Sequence, residues 1–218
     1  MNYKVDLSKK WDYENGFYLT CDTGRIGKFL NHLEIYKQII DLPGDVMEFG
    51  VYKGTSFVRL ISFRDLLENK DSRKVIGFDA FGKFPDQLSI DSDKDFVGSF
   101  ENDGGYGINK SDLESLLLEK GTSNFDLVEG DINETLIKYI EENPQLKISL
   151  LHIDVDVYEP TKIILEHLWD RIVPKGILML DDYGTIEGET RAVDEFFEGQ
   201  NIEIKKPKHY HIPSYIIK

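Results

Sequence analysis

Apolar residues along this chain switch repeatedly between two spacings. In GRIGKFLNHLEIYKQIIDLP, the positions Ile26, Phe29, Leu30, Leu33, Tyr36, Ile39 and Ile40 fall at helical intervals, and the run stops at Pro43-Gly44. DVMEF then reads as a short strand, TSFVRLISFRDLLEN as an amphipathic helix and KVIGFDA as a second strand. Residues 80–110 are rich in Gly, Asp, Ser and Phe and show little periodicity, so they read as a long loop. A loop of that length is functional or mobile rather than a mere connection. Beyond it, SDLESLLLEKG predicts a helix with a capping box, Ser111 and Glu114 three residues on. FDLVEG, KISLLHID and GILMLDD predict three more strands, each followed by a helix: NETLIKYIEEN, EPTKIILEHLWDRIV and ETRAVDEFFEG. NIEIKK and HYHIPSYIIK close the chain as two strands joined by a Pro-containing turn.

Five βα units and a terminal strand pair predict an α/β fold: a doubly wound, mostly parallel, seven-stranded sheet whose C-terminal pair is antiparallel. Several strands are near-continuous apolar runs, as expected where helices cover both sheet faces. There is no internal repeat and no linker, so residues 1–218 read as one domain with an N-terminal extension over 1–24.

In such folds ligands bind outside the carboxyl ends of the strands, and here every strand delivers an acid to that edge: Glu48, Asp79, Asp131, Asp154 with Asp156, and Asp181 with Asp182. Helix capping explains one such acid, not five in a row. The first turn, EFGVYKGTS, carries Gly50 and Gly54, which either admit a ligand close to the backbone or merely allow tight packing. It is neither G-x-G-x-x-G nor a P-loop, which argues against a dinucleotide or a triphosphate. Asp79 at the end of the second strand suits a ribose diol. The combination fits an adenosine ligand with an amino-acid-like tail. If strands four and five are neighbours, three or four carboxylates converge. They repel one another unless a hard divalent cation joins them, Mg²⁺ first, Mn²⁺ or Ca²⁺ otherwise. The bland alternative makes Asp181 a cap and turns Asp156 to solvent. His152 shares a strand face with Leu150 and Asp154, and a hydrogen-bonded core histidine is its expected role. Phe78, Phe81, Phe84, Phe96 and Phe100 either cover a ring-shaped ligand or pin the long loop.

Composition narrows the classes. Net charge is −14, from 26 basic and 40 acidic residues, which predicts no nucleic-acid and no membrane partner. The one cysteine, Cys21, allows no internal disulfide and suits a reducing cytoplasm. No zinc spacing and no nucleophile elbow are present.

The motifs GDVMEFGVYKGTS, GFDAFGKFP, LVEGDINETL, LLHIDVDVYEPT, GILMLDDYG and ETRAVDEFF, in this order from about Gly24 to the C-terminus, resemble the macrocin O-methyltransferase-like family. The resemblance implies a class I, Rossmann-like enzyme that uses S-adenosylmethionine and Mg²⁺ to methylate hydroxyls of sugars or nucleotide-linked sugars. It places Glu48, Gly50 and Gly54, with Val51, Tyr52, Thr55 and Ser56 of the same turn, against the methionine part of the cofactor. Asp79, with Phe81 beside it, goes to the ribose, and Gly130-Asp131 to the adenine. Asp154, Asp181 and Asp182 become the metal ligands and Asp156 the general base, a role that Asp154 shares or takes. Residues 80–110 become a lid, and a homodimer or larger homo-oligomer is implied. A catechol-like acceptor and a non-catalytic cofactor-binding protein are the competing expectations.

Overall fold

The computed structural model describes residues 5–85, 88 and 90–218. One sheet of six strands organises them: β1 (Asp45–Phe49), β2 (Val75–Asp79), β3 (Phe125–Glu129), β4 (Ile148–Ile153), β5 (Ile172–Leu180) and β6 (Ser214–Ile217). Their spatial order is β3-β2-β1-β4-β5-β6. All pairings are parallel except β5 with β6. The order reverses between β1 and β4, which is where an open α/β sheet leaves a crevice above its strand ends.

The helices are α1 (Lys10–Thr20), α2 (Thr23–Tyr36), α3 (Thr55–Leu67), α4 (Asp91–Gly104), α5 (Lys110–Glu119), α6 (Ile132–Glu142), α7 (Tyr158–Leu168) and α8 (Glu187–Phe196). Side chains alternate across each strand, so the sheet has two apolar faces. Val46, Val75, Leu150, Ile177 and Met179 pack with Ile35 and Tyr36 of α2, Phe57 and Leu60 of α3, and Leu113 and Leu117 of α5. Met47, Phe49, Phe78, Leu151, Ile153, Leu178 and Leu180 pack with Leu136 of α6, Ile164 and Leu165 of α7, and Val193 of α8. Among the described residues no helix is long and apolar enough to cross a membrane.

Four sequence expectations need correction. The seventh strand is reduced to one bridge, Lys205 with Tyr215. Pro207, which has no N–H to donate, follows two residues later and limits the pairing. Residues 80–110 are not all loop, because Asp91–Gly104 forms α4. The part of the predicted lid at residues 86, 87 and 89, and residues 1–4 of the predicted extension, lie outside the described residues. Helix α5 starts at Lys110, so Ser111 lies inside it and Asn109 is its N-cap, without a side-chain cap bond. Finally, the helix expected to run through Val173 ends at Leu168, and β5 begins at Ile172. A register shift at Ile148/Leu150 accommodates the exposed Pro174-Lys175 pair.

The opposite edge of the sheet is held by Arg73, whose side chain is 4% exposed. Its guanidinium donates to Glu68, to Ser149 Oγ, and to the carbonyls of Ile39, Ile40, Leu42 and Gly44. One side chain thus ties the end of α2, the approach to β1 and the start of β4. Breaking a buried ion pair from one side costs about 3–5 kcal/mol. Arg73→Met is therefore expected to lower unfolding free energy by about that amount, read as a fall in the urea midpoint. An unchanged midpoint would contradict this role.

Candidate active site

Above the switch point lies a cleft of about 480 Å³. Of the sequence-predicted cofactor residues, Gly50, Val51, Tyr52, Thr55, Ser56, Asp79, Gly130 and Asp131 line it, and Glu48, Gly54 and Phe81 do not. Glu48 is fully buried beneath it, and Phe81 belongs to the core on the α3 side. The close approach at Gly50 is first of all one of backbone to backbone. A Cβ there would lie 1.7 Å from the carbonyl oxygen of Asp154, with φ at +90°. The neighbouring strand end therefore demands this glycine whatever the cleft holds.

Asp79 organises the turn. Its carboxylate accepts from the N–H of Tyr52 at 2.8 Å and of Phe81 at 2.5 Å. Both donors have left-handed φ angles, 51° and 52°. Burial pushes the Asp79 carboxyl up, and the backbone bonds from Tyr52 and Phe81 work against that shift. Asp131 caps α6 by accepting from Asn133 N–H at 2.9 Å. The capping role is thus occupied, while the residue still borders the cleft. Over the mouth, Phe84 and Phe96 pack on Phe100, which also contacts Tyr52. Phe78 and Phe81 are core residues. The five phenylalanines of the sequence pattern therefore divide between covering the cleft and packing the body.

A group of acids lines the same cleft. Asp154, Asp156 and Asp182 each bring a carboxylate oxygen within 4.8 Å of the others. Asp156 reaches this position because its backbone is left-handed, φ 64°. That is a costly conformation for a non-glycine residue and one concentrated at functional sites. Asp182 is fixed by its N–H, which donates to Glu189 Oε1 at 3.0 Å, and its Oδ2 is buried without a hydrogen-bond partner. Asp181 points elsewhere. Its Oδ2 meets the Lys28 ammonium at 2.5 Å, and its Oδ1 lies 3.6 Å from His152 Nε2. Asp181 does not act as a cap, and Asp156, half-buried, faces the cleft rather than bulk solvent. Of the expected metal set, Asp154 and Asp182 come together with Asp156, and Asp181 is turned toward two cations.

His152 is a core histidine with a site-side task. It is the register partner of Glu48, and the alternation of strand side chains puts both on the α2/α3 face. Nδ1 lies 2.9 Å from Glu48 Oε1. His32 from α2 packs edge-on against it, and Arg59 from α3 reaches His32 Nδ1 at 3.4 Å. Lys28, His32, Arg59 and Glu189 were not singled out in the sequence. The available signal was Asn31 and His32, two polar residues inside the apolar stripe of α2, both buried in the structure.

Burial and the neighbouring Asp154 push Asp156 up to about 7. Burial, Asp156 and Asp181 push Asp182 up to about 9. For His152, burial opposes the charged form, but Asp181 and Glu48 outweigh it and hold the imidazole up to about 10. Folded values raised above unfolded ones have one sign for acids and bases alike: stability is fully present below the unfolded value and lost as pH climbs to the folded one. Asp156 and Asp182 lose it from about 4 upward and His152 from about 6.5. In chelator-containing buffer the melting temperature is thus expected to fall steadily between about pH 5 and pH 9. Asp182→Asn is expected to flatten that fall. A melting temperature that rises over this interval would refute the crowding.

Residues 23–208 match the family described as macrocin-O-methyltransferase (TylF). Mycinamicin III 3''-O-methyltransferase of Micromonospora griseorubida is 27% identical over 169 residues, which are 74% of this chain and 63% of that protein. A tetracenomycin rhamnosyl 4'-O-methyltransferase of Streptomyces olivaceus is 27% identical over 159 residues, 65% of this chain and 54% of that protein. The chain thus spans less than two thirds of either curated relative. Among solved structures, calicheamicin methyltransferase CalS11 superimposes with a TM-score of 0.77 at 27% identity, covering 99% of this chain and 87% of that one. The O-methyltransferase NovP shares the fold, with a TM-score of 0.75 at 20% identity over 88% of this chain and 80% of its own. With the class I methyltransferase sheet in place and the family match running through every strand-end motif, this chain belongs to the macrocin-O-methyltransferase family.

Proposed function

We propose that this chain is an S-adenosylmethionine-dependent O-methyltransferase acting on a hydroxyl of a sugar or nucleotide-linked sugar, assisted by a divalent cation, Mg²⁺ first. One observation carries the proposal. A single cleft is lined both by the Gly50 turn and Asp79 and by Asp154, Asp156 and Asp182, whose carboxylate oxygens lie together. The relatives support the acceptor class. Those matched by sequence are named as O-methyltransferases, one of them of a rhamnosyl-tetracenomycin, and another solved structure of CalS11 is described as a TDP-rhamnose 3'-O-methyltransferase.

The residues fit a hard cation: the donors are all oxygens, and buried Asp182 Oδ2 has no other partner. Asp154 and Asp182 would hold it, with Asp181 or Asp156 as the third carboxylate. Bound there, a divalent cation lowers the pKa of a coordinated acceptor hydroxyl. The chain's own groups do the rest. Asp156, whose carboxyl is raised to about 7, is suited to take the hydroxyl proton near neutral pH. Gly50, Val51, Thr55 and Ser56 would seat the methionine part of the donor, and Asp79 the ribose. The turn and Asp154 sit on adjacent strand ends, so the two sites would hold the reacting oxygen and the methyl carbon close together, an alignment that would supply much of the rate. Phe84 and Phe100 narrow the mouth and exclude water. A homodimer fits the same reading: α1 buries none of its residues and exposes Trp11, Tyr18 and Leu19, a face for a second copy.

Calorimetric titration with S-adenosylhomocysteine is expected to show saturable binding, and a panel of nucleotide sugars to yield a methylated product. Product from catechols alone would move the acceptor class. Absence of any binding would end the methyltransferase reading. Asp156→Asn is expected to lower kcat by about 100-fold or more while leaving S-adenosylhomocysteine affinity within about threefold, because it removes a base rather than a cofactor contact. Full activity in that variant would remove Asp156 as the base.

A further inference from the structure

Asp181 is one of two neighbouring acids at the end of β5, and a cation already holds it. Lys28 comes from the second turn of α2, enters the cleft beside Asp154, Asp156, Asp181 and Asp182, and sets its ammonium 2.5 Å from Asp181 Oδ2. Both side chains are shielded, 12% exposed for Lys28 and 5% for Asp181. On its other side Asp181 faces His152, whose Nε2 lies 3.6 Å from Oδ1, and Glu48 holds that imidazole in turn.

A carboxylate oxygen in this shielded site does not serve an ammonium and a divalent ion equally at once. The two cations repel strongly at such separations where water is scarce. An ion that takes Asp181 has to displace Lys28. An ion that stays with Asp154, Asp156 and Asp182 sits beside a fixed positive charge and is weakened by it. The lysine stem is flexible, and its three donors are easily redirected, so displacement is physically available. Lys28 lines the cleft, the space that a displaced ammonium would enter.

We propose that Lys28 is a tethered cation that competes with the divalent ion for Asp181, and so sets both the strength and the ligand set of the metal site. The inference rests on the proposed metal-assisted function and goes beyond it by assigning a positioning residue that acts through Asp181. It also accounts for the difference between the metal set expected from resemblance, which includes Asp181, and the carboxylates that the fold brings together, which do not.

The test is binding of Mn²⁺ alone, followed by the electron paramagnetic resonance signal of the free ion at fixed neutral pH, with no donor or acceptor present. Lys28→Gln and Lys28→Ala are expected to tighten Mn²⁺ binding by about tenfold or more, and charge-preserving Lys28→Arg to stay near the wild type. Adding Asp181→Asn to Lys28→Gln is expected to cancel most of the gain. Melting temperature and S-adenosylhomocysteine titration establish that each variant is folded, and either neutral variant suffices. Unchanged or weaker Mn²⁺ binding in a folded neutral variant overturns the proposal. A gain that survives Asp181→Asn overturns it too, since Lys28 would then act only as a distant charge. Absence of Mn²⁺ binding in every variant overturns it together with the metal part of the proposed function. Failure of S-adenosylhomocysteine to bind the wild type overturns the methyltransferase reading separately and leaves the Mn²⁺ comparison valid.

Discussion

Crowding of carboxylates at the carboxyl edge of the sheet is the constraint on which the site depends. Asp154, Asp156, Asp181, Asp182, Glu48 and Glu189 all lie in or under one end of the cleft, where water screens little. An uncompensated group of this kind would protonate or push the strand ends apart. The fold meets the problem in two ways. Lys28 and His152 supply positive charge on the Asp181 side. On the other side Asp154, Asp156 and Asp182 keep their oxygens together, and Asp156 and Asp182 hold their protons to higher pH although the Lys28 charge works against that shift. Compensation is therefore uneven, with the direct ion pair on Asp181 and the three neighbouring carboxylates crowded beside it.

The geometry that allows this division begins far from the acids. Strands β1 and β4 run side by side in parallel, so Glu48 and His152 meet as register partners and form the floor beneath Asp181. Their ends are pressed together until only glycine fits at position 50. The same contact brings the turn after β1 next to Asp154. The Gly50 turn and the acid cluster are thus linked through one backbone contact rather than through a loop. Arg73 holds the opposite ends of the same strands, so the register that places Glu48 beneath the site is anchored from both sides.

Much of this was legible in the sequence because strand-end acids follow from topology alone. Short apolar runs ending in Glu48, Asp79, Asp154 and Asp181 fall at one edge of a parallel sheet wherever helices connect its strands. What was not legible came from helices. Whether Lys28 faces solvent or Asp181 depends on how α2 lies across the sheet, which no local pattern states. Glu189 reads as an ordinary acidic first-turn residue, yet the packing of α8 buries it against the Asp182 backbone. Helix α4 was read as loop because its buried side is slight: Asp93 and Val97 are its buried residues, and no side-chain cap marks its start. Helix α1 has no buried residue at all, so it lacks the apolar stripe that a sequence pattern detects.

The two aspartates of DVD illustrate how a strand pattern stops being a guide at the point where chemistry begins. Strand alternation would send Asp154 and Asp156 to the same side. Strand β4 ends at Ile153, however, and the chain bends through Val155 into a left-handed Asp156 before α7 starts at Tyr158. The backbone strain at Asp156 is held in place by its neighbours. Its carbonyl accepts from Glu189 N–H at 3.2 Å, and Tyr158 N–H donates to Asp93 at 2.8 Å. Helices α4, α7 and α8 therefore converge on Asp156. Asp93 links the covering segment to this same corner, so a shift of α4 would be felt at Asp156 through Tyr158. Helix α4 is in that sense part of the support of Asp156, and it borders the cleft through Phe100.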